Sequence, residues 1–186
     1  MAKLIYSSIT SLDGYIEDQD GNFEWAAPDD QVSSFLNDLE RDVGTYLNGR
    51  RMYETMVYWE QDPVVAGEPD CVRECRELWR AADKIVFSKS LDTVSATRTR
   101  LEREFDPSAI KSLKDSLVRD ITVAGPDLAT QALRAGLVDE CQLFLTPTLV
   151  GSGKASMPSD IRLDLELLDE HRFQSGVAYL RYRIPN

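Results

Sequence analysis

Apolar residues along this chain recur with two different periods, and the alternation between them lays out the architecture. Leu4 to Thr10 is β-rich and apolar on both parities, the pattern of a strand buried on both faces of a sheet. Pro28-Asp29-Asp30 then opens a stretch in which Val32, Phe35, Leu36, Leu39 and Val43 share one helical face, which predicts a helix closed by Gly44. Thr45 to Asn48 reads as a second strand running into Gly49, and Val57 to Pro69, with scattered Pro and Gly, reads as irregular. A helix over about Pro69 to Ala82 carries the apolar stripe Val72, Cys75, Leu78, Trp79 and Ala82. Lys84 to Ser88 is a third strand, with a shorter one expected near Val94 to Thr97. Pro107-Ser108 starts a helix that turns Ile110, Leu113 and Leu117 inward.

The segment Ile121 to Leu145 is the most informative. A short β-rich run, Ile121 to Ala124, ends in Gly125-Pro126; an amphipathic stretch follows to Gly136, and then a second apolar run, Leu143 to Leu145. Strand, tight glycine turn, helix and strand is a unit whose helix N-terminus points free N–H groups beyond the strand's carboxyl end, where phosphate is the usual guest. A glycine-rich loop, Pro147 to Lys154, comes next, and the tail from Ile161 to Ile184 reads as two strands around a turn near Gln174 to Gly176. The chain has no repeat and no linker long enough to divide it. The expected fold is therefore one α/β domain over residues 1–186, its sheet mostly parallel with antiparallel strands at the C-terminal end.

Charge restricts the partners. A formal net charge of -11 and a pI near 4.6 repel phosphate backbones over long range, so nucleic acid is not an expected partner. Any phosphorylated ligand needs a local cluster of cations. No apolar run approaches the ~20 residues that span a bilayer, and the N-terminal residues lack a leader-peptide layout. Three cysteines, an odd number, argue against a disulfide framework and for the reducing cytoplasm. Cys71 and Cys75 read as buried helix thiols, and with His171 the sole histidine no metal site is expected. His171, between Glu170 and Arg172, reads as a surface residue.

Three strand ends carry residues with chemistry: Gly49-Arg50-Arg51-Met52, Ser88-Lys89-Ser90 and Gly125-Pro126-Asp127-Leu128. In a parallel sheet the carboxyl ends of the strands share one edge, and ligands bind in the crevice there. Arg50 and Arg51 offer guanidinium groups, Ser88 and Lys89 a hydroxyl and an ammonium, and Gly125 a close backbone approach to a pyrophosphate. Each segment also has an ordinary reading: turn glycine, solvated Arg-Arg, polar loop. Asp127 would repel a phosphate unless it caps the helix.

Ser11-Leu12-Asp13-Gly14-Tyr15-Ile16, the run Asn48 to Glu54, the run Lys84 to Leu91, and Gly136-Leu137-Val138-Asp139-Glu140 followed by Pro147 and Gly151-Ser152-Gly153-Lys154 together resemble the dihydrofolate-reductase-like family. The branch is the reductase domain of the bifunctional riboflavin-biosynthesis deaminase–reductase, and the resemblance runs in order over nearly the whole chain. It implies a three-layer α/β/α dihydrofolate-reductase-like fold, NADPH as hydride donor and a homodimer, for which the β-rich tail Val177 to Ile184 offers an edge. By position, Gly49 to Met52 with Ser88 and Lys89 would hold the 2′-phosphate and adenosine end. Gly125, Pro126, Asp127, Leu128, Ala129 and Thr130 would lie along the pyrophosphate. Ile9 and Ile16 would bracket the nicotinamide, with Gly14 to Trp25 as a lid.

The chain also departs from that family's pattern. The riboflavin enzyme's Thr-rich turn and Asp-Pro-Leu after the second strand are replaced by Arg51-Met52-Tyr53-Glu54, and the paired glycines after the fifth strand of dihydrofolate reductase appear here as Gly125-Pro126. The zinc-binding residues of the deaminase half have no counterpart in these residues. In a reduction of this kind the protein positions the nicotinamide against an electrophilic carbon, and a carboxylic acid delivers the proton. Asp30 is the first choice for that acid and Asp13 the second, with Asp29 and Glu54 also near; Trp25 and Tyr53 are candidates to stack on a flat substrate. The activity the resemblance implies is reduction of a flat heterocycle, specifically 5-amino-6-(5-phosphoribosylamino)uracil in riboflavin biosynthesis. The alternatives are another substrate, a deazaflavin cofactor, or a nucleotide-binding protein without hydride transfer.

Overall fold

Ten strands and five helices alternate along the chain in a computed structural model that describes residues 1–61 and 67–185. The strands are β1 (Leu4–Thr10), β2 (Tyr15–Asp18), β3 (Val43–Gly49), β4 (Asp83–Phe87), β5 (Thr99–Glu102), β6 (Asp120–Ala124), β7 (Glu140–Leu145), β8 (Gly153–Ala155), β9 (Glu166–Arg172) and β10 (Ala178–Arg183). The helices are α1 (Asp30–Glu40), α2 (Arg50–Gln61), α3 (Asp70–Ala81), α4 (Pro107–Ser116) and α5 (Pro126–Arg134). Eight strands form one sheet in the order β5-β4-β3-β6-β1-β7-β10-β9, while β2 and β8 pair apart from it. Every pairing from β5 to β7 is parallel, and β10 runs antiparallel to both β7 and β9.

Strand alternation divides the core into two layers. Leu4, Tyr6, Leu47, Ile85, Ile121 and Val123 point to one face, where Ile110 of α4 and Leu128, Ala129, Ala132 and Leu133 of α5 cover them. On the other face α1 lays Val32, Phe35, Leu36 and Leu39 over Phe144 and Tyr179, and α2 and α3 pack Tyr53 and Trp79 against Val86. Asn37, buried on α1, donates to the Cys71 carbonyl of α3 at 2.7 Å and ties those helices together. The arrangement is a three-layer α/β/α fold with a mostly parallel central sheet. Among the described residues no helix is long and apolar enough to cross a membrane.

Some local expectations need correction. Val43 lies in β3 rather than α1, because α1 ends at Glu40; the valine keeps its burial by joining the sheet the helix covers. Gly44 is a strand residue at which a Cβ would stand 2.8 Å from the Cβ of Arg119. Val57 to Gln61 are helical, since Tyr53, Met56 and Val57 present an apolar stripe to the cluster around Trp79 and Val86, and residues 62–66 of the expected irregular stretch lie outside the described residues. Val94 to Thr97 form no strand: Val94 and Ala96 pack against that same cluster, and the strand comes at Thr99–Glu102. The outermost strand at the C-terminal side is β9, because β10 is paired on both sides. The tail Val177 to Ile184 therefore offers no free edge.

Candidate active site

The three strand-end loops meet on one rim. Strands β4, β3 and β6 are adjacent and parallel, with Gly49 in register with Phe87 and Asn48 with Ala124, so the loops starting at residues 49, 88 and 125 leave the sheet side by side. Together they line a cleft of about 450 Å³, to which Gly49, Arg50, Ser88, Lys89, Asp127 and Leu128 all contribute. Phe87 and Phe105, with ring centroids 5.6 Å apart, form part of its wall.

The rim's positive charge is local. Arg50 pairs with Glu54 at 2.7 Å and also donates to the Ser90 hydroxyl at 3.0 Å. Lys89 lies 3.4 Å from Glu104. The Ser88 hydroxyl accepts from the N–H groups of Ser90 and Leu91, which leaves its own proton to donate. At Gly125 the backbone takes φ +91, a conformation natural to glycine, and no side chain caps α5 behind it. The Gly125–Pro126 peptide is not cis. Leu128 and Ala129 are buried in the core, so what they offer the rim is backbone rather than side chain, and Thr130 is half-buried. Asp127 does not cap the helix. Its carboxylate is held by Lys154 at 2.5 Å, which offsets the repulsion an anion would otherwise meet.

Arg51 departs from its expected place: its guanidinium reaches Glu17 of β2 at 3.0 Å, tying α2 to the Gly14 to Trp25 segment rather than lining the cleft with Arg50. Met52 is half-buried on α2. Tyr53 cannot stack on a substrate. It is 3% exposed, and its hydroxyl accepts the N–H groups of Ser95 at 2.8 Å and Ala96 at 3.1 Å.

The Gly14 to Trp25 segment is held against the glycine-rich loop by contacts between two of the motifs that carry the family resemblance. Leu12 N–H donates to the Thr148 carbonyl, and the Asp13 carboxylate accepts from Ser11 Oγ at 2.6 Å and from the N–H groups of Val150 and Gly151 at 3.2 and 2.7 Å. These donors, the Ser11 hydroxyl foremost, hold the Asp13 carboxyl below its ordinary range. Asp13 is thus a clasp between two loops and a poor proton donor at neutral pH. β2 and β8 pair so closely that a Cβ on Gly153 would stand 2.0 Å from the Glu17 carbonyl oxygen. Ile9 near the end of β1 and Ile16 in β2 are both half-buried, with the turn between them closed by Ser11 N–H on the Tyr15 carbonyl at 2.8 Å. Trp25 sits half-buried in a one-turn 3-10 helix, its indole N–H on the Asn22 carbonyl at 3.2 Å.

Asp30 stands elsewhere. The N-cap of α1 is Asp29, whose carboxylate accepts from Val32 N–H at 2.8 Å. Asp30 is exposed, touched by the Cys71 thiol at 3.8 Å. It opens onto a second cleft of about 640 Å³ whose aromatic wall is Phe35, His171 and Phe173, and no residue of the three strand-end loops lines it. His171 is exposed in β9 with its ring stacked on Phe35 at 5.2 Å.

Gln131 lines the first cleft just beyond the Gly125 segment, and Arg103, Glu104 and Phe105 line it after β5, for which the pattern expects a strand at Val94 to Thr97 instead. With β5 correctly located they are a fourth strand end, and a cation there fits the other three. Among the described residues no cluster of three His, Cys, Asp or Glu side chains is placed to hold a metal ion.

The family model for the RibD C-terminal domain matches residues 2–179. An uncharacterized Bacillus subtilis protein, YyaP, is 28% identical over 185 residues, which is 97% of this chain and 94% of that one. Among solved structures, a candidate riboflavin biosynthesis protein from Shewanella sp. PV-4 superposes with a TM-score of 0.77 at 19% identity, covering the whole of both chains. A pyrimidine reductase-like protein from Corynebacterium diphtheriae gives 0.70 at 16% identity over 100% of this chain and 92% of that one. A Thermotoga maritima diaminohydroxyphosphoribosylaminopyrimidine deaminase/5-amino-6-(5-phosphoribosylamino)uracil reductase gives 0.66 at 16% identity, with 99% of this chain matching 57% of that one.

Proposed function

The chain belongs to the RibD C-terminal domain family, and from that premise we propose that it is an NADPH-dependent reductase of a flat heterocyclic substrate, of the 5-amino-6-(5-phosphoribosylamino)uracil type. The observation that carries this reading is the convergence of three parallel strand ends on one cleft, rimmed by Arg50, Lys89 and Arg103 in a chain of net charge -11. NADPH, when bound, supplies the hydride. Arg50, Ser88 and Lys89 hold its 2′-phosphate, and the uncapped start of α5 after Gly125 takes the pyrophosphate. Lys154 keeps Asp127 from opposing that second anion. Ile9 and Ile16 present apolar surface to the nicotinamide, and the β2–β8 pair with the lid up to Trp25 excludes water. Asp30 is the proposed proton donor, reached from the second cleft that it lines, since Asp13, Asp29 and Glu54 are each engaged by other groups. A homodimer completes the proposal, with the outer strand β9 as its edge.

Titration of NADPH fluorescence, followed by its oxidation in the presence of candidate pyrimidines and pterins, tests the reading. Binding with turnover supports it; binding without turnover makes the protein a nucleotide binder; no binding rejects it. Asp30→Asn should lower kcat while leaving NADPH affinity in place.

A further inference from the structure

Arg103 is exposed in the loop after β5, yet it reaches across to the neighbouring strand-end loop. Its Nη1 donates to the carbonyls of Ser88 at 3.1 Å and Leu91 at 2.6 Å, the two ends of the turn that carries Lys89. The same turn is closed from within by the Ser88 hydroxyl, which accepts from Ser90 N–H at 3.3 Å and Leu91 N–H at 3.0 Å. Arg50 meets it from the far side through the Ser90 hydroxyl. One guanidinium therefore bridges both ends of the turn while adding its own positive charge to the cleft. Glu104, the next residue, places its carboxylate 3.4 Å from the Lys89 ammonium, and both side chains are well exposed.

We propose that Arg103 is the positioning residue that makes this cleft select a 2′-phosphorylated dinucleotide over its unphosphorylated counterpart, with Glu104 as the internal anion that the phosphate displaces. This rests on the dinucleotide reading given above. Arg103 fixes the turn that carries Ser88 and Lys89, and Arg50 donates to Ser90 of the same turn, so the three donors border one cleft. A phosphomonoester dianion there gains three donors at once. A ribose hydroxyl gains little, because it carries no charge with which to displace Glu104 from Lys89. An exposed pair of that kind is weak, so a dianion replaces the carboxylate at small cost.

The test is fluorescence titration of NADPH and NADH on the full chain, for the wild type and for Arg103→Met, Arg103→Lys and Glu104→Gln. Arg103→Met should weaken NADPH by about tenfold or more and NADH by less than about twofold, the scale of losing a charge-assisted double contact. Arg103→Lys should recover part of the loss, since an ammonium can hold one of the two carbonyls. Glu104→Gln should tighten NADPH by about two- to fivefold, as removal of a competing exposed pair would, without moving NADH. Equal losses for the two dinucleotides overturn the inference, and so does the absence of any loss. Should Arg103→Met fail to fold, unchanged NADPH affinity in both other variants overturns it as well. A wild type that binds the two dinucleotides equally removes the selection but leaves the reductase reading standing, whereas one that binds neither removes both.

Discussion

Replacing Glu40 by Gln should make the protein more stable in mild alkali and leave it almost unchanged in mild acid. Glu40 closes α1, and although the residue as a whole is half-buried, its Oε2 is buried without a hydrogen-bond partner. Burial pushes its carboxyl up to about 7 from an ordinary 4.5, opposed by a hydrogen bond with the Tyr46 hydroxyl. A carboxyl that ionises less readily in the folded state than in the unfolded one favours folding below the unfolded value, and that contribution is lost as pH rises from 4.5 through about 7. At about 1.36 kcal/mol per unit of displacement, the wild type gives up roughly 3 kcal/mol across this window. Glutamine keeps an oxygen for Tyr46 and never ionises. Urea unfolding of both proteins at pH 5 and pH 8 isolates the effect, because every other titrating group is common to the pair. The variant should match the wild type within about 1 kcal/mol at pH 5 and exceed it by about 2–3 kcal/mol at pH 8. Two stability curves that stay parallel from pH 5 to 8 would refute the account of Glu40.

Tyr53→Phe strips the acceptor from two backbone N–H groups, those of Ser95 and Ala96, and should cost about 1–3 kcal/mol in urea unfolding; an unchanged midpoint would refute that structural role for the hydroxyl. Gly153→Ala requires a φ of +145 and drives a methyl into the Glu17 carbonyl, so β2 and β8 should part. Limited proteolysis should then cut the Gly14 to Trp25 segment faster than in the wild type, and equal rates would show that the pairing does not hold the lid. Sedimentation at micromolar concentration should give about twice the 21.0 kDa chain mass, and Leu167→Lys, at an exposed apolar position of the outer strand β9, should shift the boundary to the monomer. A wild type sedimenting as a monomer ends the dimer proposal.

The parts of this fold that could be read from residues alone are those in which local period and tertiary role agree. Leu4 to Thr10 forms a strand over those same residues, and the Ile121 unit gives strand, turn, helix and strand in the expected order, because glycine and proline punctuate it. Reading failed where one pattern served two elements. Val43 continues the helical face of α1 and is also the first residue of β3, since helix and sheet share a core. Thr99 to Glu102 is short and charged and carries no strand signal of its own; its partner β4 makes it a strand. That miss hid Arg103, Glu104 and Phe105, which line the cleft. Tyr53 looked like a stacking aromatic because sequence does not show which face of α2 meets the sheet.

The carboxylates make the same point about chemistry. Asp13, Asp139 and Glu140 stand in the segments through which the family resemblance was read, and each is engaged in holding the framework. Asp13 joins the loop after β1 to the glycine-rich loop, Asp139 accepts from Leu4 N–H at 2.6 Å and Lys114 at 2.7 Å, and Glu140 binds Lys3 and Arg181. The donors around Asp13, and the Lys3 and Arg181 hydrogen bonds that outweigh burial at Glu140, hold both of those carboxyls below their ordinary range, so their value to the protein is geometric rather than reactive. A proton donor needs few fixed donors, and among the four candidate acids Asp30 has the fewest, its side-chain partner being the thiol of Cys71. Its cleft is separate from the cleft of the strand-end loops.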